Sequence, residues 1–170
     1  MIKLPDHDII GIDPGATESA WIALVNGRVE AFAKERNDDV IAKIKDFARD
    51  SVIVIETPQP YGVSVGQETF DTVFWAGRFF QAAREQESGY AIRRGDVKRL
   101  LFGKVAGIRD PDIWDYCIQQ FGGTKEKAVG RKGTKKKLGT PGPLYGVTAD
   151  CRQALGVALA WVVQQQEQGL

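Results

Sequence analysis

The sequence predicts an α/β domain: a mixed sheet of about five strands, an antiparallel three-strand meander and then parallel strands, flanked by helices. Three observations carry this. Two β-branched apolar runs, residues 9–13 (Ile-Ile-Gly-Ile-Asp) and 51–56 (Ser-Val-Ile-Val-Ile-Glu), read as buried strands, and each ends in a carboxylate followed by a proline turn. Asn26-Gly27 lies between two further strand-like stretches and is a strong hairpin signal. Before residue 51, Val40, Ile41, Ile44, Phe47 and Ala48 follow helical spacing, so a helix leads into the second buried run and sets it parallel to the first.

The elements follow in order. Residues 19–25 and 28–33 form the hairpin around Asn26-Gly27, and Asn37-Asp38-Asp39 caps the first helix. Thr57-Pro58-Gln59-Pro60-Tyr61-Gly62 breaks the second buried strand. Residues 64–86 read as a long helix with Phe70, Val73, Phe74, Gly77, Phe80 and Ala83 on one side, a stripe expected to be core. Gly77 there costs about 1 kcal/mol relative to alanine, which suggests close packing or ligand approach. Tyr90-Ala91-Ile92 is a short strand. Arg93-Arg94-Gly95-Asp96-Val97-Lys98-Arg99 opens a short helix ending near Gly103. Asp110 as N-cap with Pro111 at the first helical position starts a helix through Phe121. Thr148 caps a final helix over 149–165 whose Ala154, Leu155, Ala158, Leu159 and Val162 stripe packs on the sheet.

At 170 residues the chain is expected to be one domain spanning 1–170. Its 43% hydrophobic and 26% charged content are ordinary for a globular protein. No apolar run approaches the length of a membrane span, and the start does not read as a signal peptide. Cys117 and Cys151 fit neither a metal spacing nor a disulfide framework, and the only histidine, His7, precedes the first strand. An intracellular, reducing location is expected, and histidine-based triads and zinc sites are disfavoured. The net charge of +1 is unevenly spread: residues 122–138 carry +6 and the remainder −5. That glycine-rich basic stretch, at about 122–146, is expected to be a flexible loop, and a polyanion such as nucleic acid is the natural partner.

A carboxylate beside a core asks for a cation or a donor. Asp13 and Glu56, at one edge of neighbouring strands, come within reach of one cation, although Asp13 alone also suits an Asx-type turn. Asp150 falls in the first turn of the last helix, where the helix dipole alone favours an acid; Gln153 projects from the same side one turn on.

Taken together, G-I-D-P-G with Asp13, V-I-V-I-E-T-P with Glu56, R-R-G-D-V-K, and D-C-R-Q-A-L-G-V-A-L-A with Asp150 resemble the RuvC-type Holliday junction resolvases of the ribonuclease H-like superfamily. The lysine-rich stretch followed by P-G-P-L-Y-G resembles divergent members found in bacteriophages, which implies a cytoplasmic protein of a bacterial host. The resemblance implies hydrolysis of phosphodiesters in four-way DNA junctions by a homodimer, without a membrane. Asp13 would bridge two metal ions, with Glu56 and Asp150 each helping to hold one. Hard oxygen ligands imply Mg²⁺ or Mn²⁺. Lys98 matches the lysine of the family's V-K motif, expected at the scissile phosphate. Arg93, Arg94, Arg99, Lys125, Lys127, Arg131, Lys132, Lys135, Lys136 and Lys137 would hold flanking phosphates. One departure matters. The family's last helix usually offers a second acid three residues after the first, and here that place is Gln153, a neutral ligand that cannot act as a base. A weakly held second ion, recruitment of Asp71 or Glu18, or slow cutting would follow. Three rivals stay open: an actin-like or sugar-kinase ATPase, which would need a second lobe; a nuclease of the same fold acting on RNA–DNA hybrid or flap DNA; and a junction-binding protein with weakened catalysis.

Overall fold

A computed structural model describes residues 2–47, 49–60, 62, 64–134 and 138–169. The elements run β1 (Asp8–Asp13), β2 (Glu18–Val25), β3 (Arg28–Arg36), α1 (Asn37–Phe47), β4 (Ser51–Thr57), α2 (Gln67–Arg84), β5 (Gly89–Arg93), α3 (Arg94–Phe102), α4 (Asp110–Phe121), α5 (Lys125–Ala128), β6 (Gly130–Arg131), β7 (Thr140–Pro141) and α6 (Ala149–Glu167). Among the described residues the main sheet has five strands in the order β3-β2-β1-β4-β5. The β1–β2 and β2–β3 pairs are antiparallel, whereas β4 runs parallel to both β1 and β5. The expected α/β class, the meander and the parallel second half are all present.

Local chemistry accounts for the turns. Asn26 and Gly27 adopt φ of 49° and 72°, the two positive values that a type I′ hairpin needs. At the C-terminus of α3, Gly103 takes the left-handed cap (φ 70°).

Alternation along β1 and β4 splits the core into two layers. Ile10, Ile12, Ile53 and Ile55 pack against α1 and α2 through Val40, Ile44, Ala76 and Phe79. On the opposite face Ile9, Val54 and Ile92 pack with residues of α3, α4 and α6. Gly11 lies on this second face, and its missing side chain lets α6 approach. A Cβ at Gly11 would stand 2.1 Å from the Ala154 carbonyl oxygen and 3.1 Å from the Ala158 Cβ.

Three expectations need correction. The stripe of α2 is core only in its second half: Ala83 is buried and Phe80 packs against the core, but Phe70, Val73 and Phe74 are 59%, 49% and 62% exposed, and the other buried residues are Ala76, Phe79 and Ala82. Helical spacing fixes which residues share a face but not which face turns inward, and the small Ala76 and Ala82 permit closer seating on the sheet. Asp110 is not the N-cap of α4. Arg109 holds that position, and the Asp112 carboxylate accepts from its backbone N–H at 2.7 Å. The stretch 122–146 is not loop throughout. It contains α5 and the β6–β7 pair, and it buries Ala128 and Leu144 completely. Lys135, Lys136 and Lys137 lie outside the described residues, as do Ala48 and Tyr61.

Candidate active site

The parallel register that aligns Ile12 with Ile55 brings Asp13 and Glu56 side by side at the carboxyl ends of β1 and β4. Both belong to the α6 side of the sheet, by alternation from Gly11 and Val54. The carboxyl edge of parallel strands is where open α/β sheets place ligands. Helix α6 supplies the third acid. Because Ala154 touches Gly11, Asp150 stands one helical turn from that contact and Asp13 two strand residues from it; Asp13 feels the charge of Asp150. The close seat of α6 on β1 therefore sets how near the two acids come.

The turn that carries Asp13 is tied down by a buried network. Asn37 donates through Nδ2 to the Gly15 carbonyl at 3.0 Å and accepts from Ser19 Oγ at 2.6 Å, and Ser19 Oγ accepts from the Gly15 N–H at 3.0 Å. Ser19 and Asn37 are both 1% exposed. Asn37, expected to start α1, also pins the Pro14-Gly15 turn. A Cβ at Gly15 would come within 2.3 Å of the Glu18 carbonyl oxygen, so glycine is required there by close approach.

Electrostatically, the site concentrates negative charge. Burial raises the Asp13 pKa to about 7, with the neighbouring Glu56 adding to the shift and Arg94 opposing it. Glu56 is also raised, chiefly by burial, although the charge and hydrogen bond of Arg94 pull the other way and Lys98 adds to that pull. Arg94, the first residue of α3, reaches back to donate to Glu56 Oε1 at 2.8 Å and to Asp110 Oδ1 at 2.5 Å. Burial lowers the Arg94 pKa, but Glu56 and then Asp110 outweigh that and leave it above its ordinary value. Asp150 is met by Lys34 of β3 at 3.0 Å, and this bond raises the lysine pKa.

The site residues expected from the sequence therefore do not all come together. Asp13, Glu56 and Asp150 share one sheet edge. Gln153 lines a cleft of about 300 Å³ with Asp110, Trp114, Asp150 and Arg152. Its Oε1 is buried without a hydrogen-bond partner among the described residues. Lys98 lies one turn beyond Arg94 on α3 and makes no ion pair among the described residues. The remaining basic residues lie elsewhere: Arg93 is exposed at the start of α3, Arg99 is paired with Asp96 at 2.7 Å, and Lys125, Lys127, Arg131 and Lys132 are exposed on the β6–β7 side. Arg94, expected at a flanking phosphate, faces the acids instead. Asp71 is engaged by Gln67 on α2, and the charge of Glu18 is felt by Lys34. Two contributors carry no recognisable signal in the sequence. Asp110 is fully explained there as a helix-start residue, and Lys34, on an outer strand, belongs to no motif.

These groups suit a divalent cation. A cation would relieve the crowding of Asp13 by Glu56 and Asp150, and Gln153 offers an unpartnered oxygen on α6 in the cleft it lines with Asp150. Arg94 is already paired with Glu56, and no group of three acidic, histidine or cysteine side chains among the described residues is gathered closely enough to form a preformed cage.

No family model matches the chain, and no curated protein matches it. Solved structures do. The chain resembles "Thermus thermophilus RuvC structure" with a TM-score of 0.62 at 16% identity, over 95% of this chain and 96% of that one. It resembles "T. thermophilus RuvC in complex with Holliday junction substrate" equally, at 19% identity and the same coverage. The fold is RuvC-like.

Proposed function

We propose that the chain is a metal-dependent, structure-selective endonuclease that resolves four-way DNA junctions by paired phosphodiester hydrolysis, acting as a homodimer. One observation carries the reading: Asp13 and Glu56 lie adjacent at the carboxyl edge of a RuvC-like sheet, with Asp150 brought to them by α6. Its support includes a neighbour of the same fold solved in complex with Holliday junction substrate. Asp13, Asp150 and Gln153 are the groups that would hold Mg²⁺ or Mn²⁺. When bound, such an ion supplies a Lewis acid that polarises the scissile phosphoryl group. Asp13, with its pKa near 7, would hold such an ion as the carboxylate and give up its proton to solvent at neutral pH. Lys98, whose charge reaches Glu56, is suited to meet a phosphate oxygen as a point charge. Lys125, Lys127, Arg131 and Lys132 add phosphate contacts that bring affinity without sequence reading.

Two coordinated cuts call for a symmetric pair of sites. The exposed face of α2 supplies a surface for this. Phe70, Val73 and Phe74 sit at helical spacing with Gly77 in line, and a Cβ at Gly77 would meet nothing within 4 Å among the described residues. No internal contact among them explains that glycine, whereas a helix of a second copy crossing there would.

A second reading, a junction-binding protein with weakened catalysis, is favoured by Gln153 and by the cations already paired to Glu56 and Asp150. One assay tests both. The purified chain is incubated with Mg²⁺ or Mn²⁺ and with fixed and mobile four-way junctions, Y-shaped DNA and RNA–DNA hybrid. Paired nicks in the junctions support the main reading. Binding without nicks supports the second, and cleavage confined to hybrid or Y-shaped DNA redirects the substrate class.

A further inference from the structure

The guanidinium of Arg94 lies in the acid cluster instead of on the outer surface. Its two terminal nitrogens reach different carboxylates, Glu56 at 2.8 Å and Asp110 at 2.5 Å, and its side chain is only 24% exposed. This placement is built into the chain. Strand β5 pairs Ile92 with Glu56 and Arg93 with Thr57, so Arg94 begins α3 directly beyond the end of β4. Gly95 follows it, buried beneath the Gln59 side-chain amide. A planar, permanently charged fork suits the bridging of two carboxylates better than a mobile ammonium would.

From this arrangement we infer that the site holds one divalent ion rather than two, and that Arg94 provides the second positive centre beside Glu56. The inference rests on the nuclease reading above and deepens it. Charge supports it: four carboxylates (Asp13, Glu56, Asp110, Asp150) against their two paired cations (Arg94, Lys34) leave a formal −2, which one divalent ion neutralises. Lys98, whose charge also reaches Glu56, remains for the phosphate. Ligand chemistry agrees with the charge count. A second ion needs its own anionic oxygens, yet α6 offers the neutral Gln153 one turn after Asp150, and Asp110, whose charge reaches both Asp13 and Glu56, is committed to Arg94. Arg94 is thus a positioning residue for Glu56 and a fixed cation where a second metal would otherwise be needed.

Metal stoichiometry tests this without reference to cleavage. The full chain, free of DNA, is titrated with Mn²⁺ and followed by calorimetry and electron paramagnetic resonance. One Mn²⁺ per chain with an uncoupled six-line spectrum is expected, and Arg94→Gln, checked for folding by circular dichroism, should then take up a second, spin-coupled Mn²⁺. Two coupled ions in the unaltered chain overturn the inference while leaving the nuclease reading intact. A single ion in folded Arg94→Gln overturns the role given to Arg94. If that variant does not fold, the count in the unaltered chain decides. No Mn²⁺ binding at all removes the metal-dependent reading, and the inference with it.

Discussion

Asp13 is pressed by burial and by Glu56 toward a pKa of about 7, well above the range of an ordinary aspartate. The sign of the consequence follows from linkage. A carboxyl whose pKa is raised by folding favours the folded state at low pH, and that contribution is lost as pH rises from about 4 to about 7. Metal-free protein should accordingly lose stability over that window, and saturating Mg²⁺ or Mn²⁺ should reverse the trend. Asp13→Asn should stabilise the metal-free chain at pH 8 by roughly 1–3 kcal/mol, read by urea denaturation, with little effect at pH 4. The same variant should lower junction cleavage by about 10³-fold or more while junction binding persists. Unchanged cleavage would remove Asp13 from the chemistry. At this scale, Asp13 and Glu56 are legible in the sequence because each closes a β-branched run. Lys34 and Asp110 are not, since nothing local distinguishes a lysine on an outer strand or an acid beside a helix-start proline from solvated residues.

Among the elements, the β1–β2 connection and α2 carry the sharpest expectations. Asn37 and Ser19 hold the Pro14-Gly15 turn through buried hydrogen bonds, so Asn37→Ala strands the Ser19 hydroxyl and the Gly15 carbonyl. It should cost about 1–3 kcal/mol in chemical denaturation and lower cleavage more than junction binding. For α2, Phe74→Asp should convert a dimer to a monomer in sedimentation velocity and, with the fold intact by circular dichroism, abolish paired cutting. A monomeric parent chain would refute the α2 interface. The stripe of Phe70, Val73 and Phe74 is visible in the sequence, but its direction is not. Period alone cannot say whether an apolar face meets the sheet or another chain.

At the level of the whole molecule, charge is segregated: acids gather at the sheet edge, and basic residues concentrate in 122–138. Removing that stretch outright would also remove the buried Ala128, so neutralisation is the cleaner probe. Replacing Lys125, Lys127, Arg131 and Lys132 with glutamine should flatten the salt dependence of duplex-arm binding by about 0.9 in log–log slope for each phosphate no longer neutralised. An unchanged slope would show that these side chains do not touch DNA. Class, the three-strand meander and the parallel pairing of β4 with β1 are legible because hairpin and crossover rules leave few arrangements. The order inside 122–146 is hidden because glycine and lysine dominate it, while its two anchors are single apolar residues, Ala128 and Leu144. With no methyl group at Gly11, α6 rests directly on the strand, and the gap between Asp13 and Asp150 is gauged by backbone instead of by adjustable side chains. A gap set this way has little room to swell, so under the metal-dependent reading proposed above the centre is expected to favour small ions over Ca²⁺. Gly11→Ala, which wedges the gauge open, should shift that preference toward the larger ion in competitive binding.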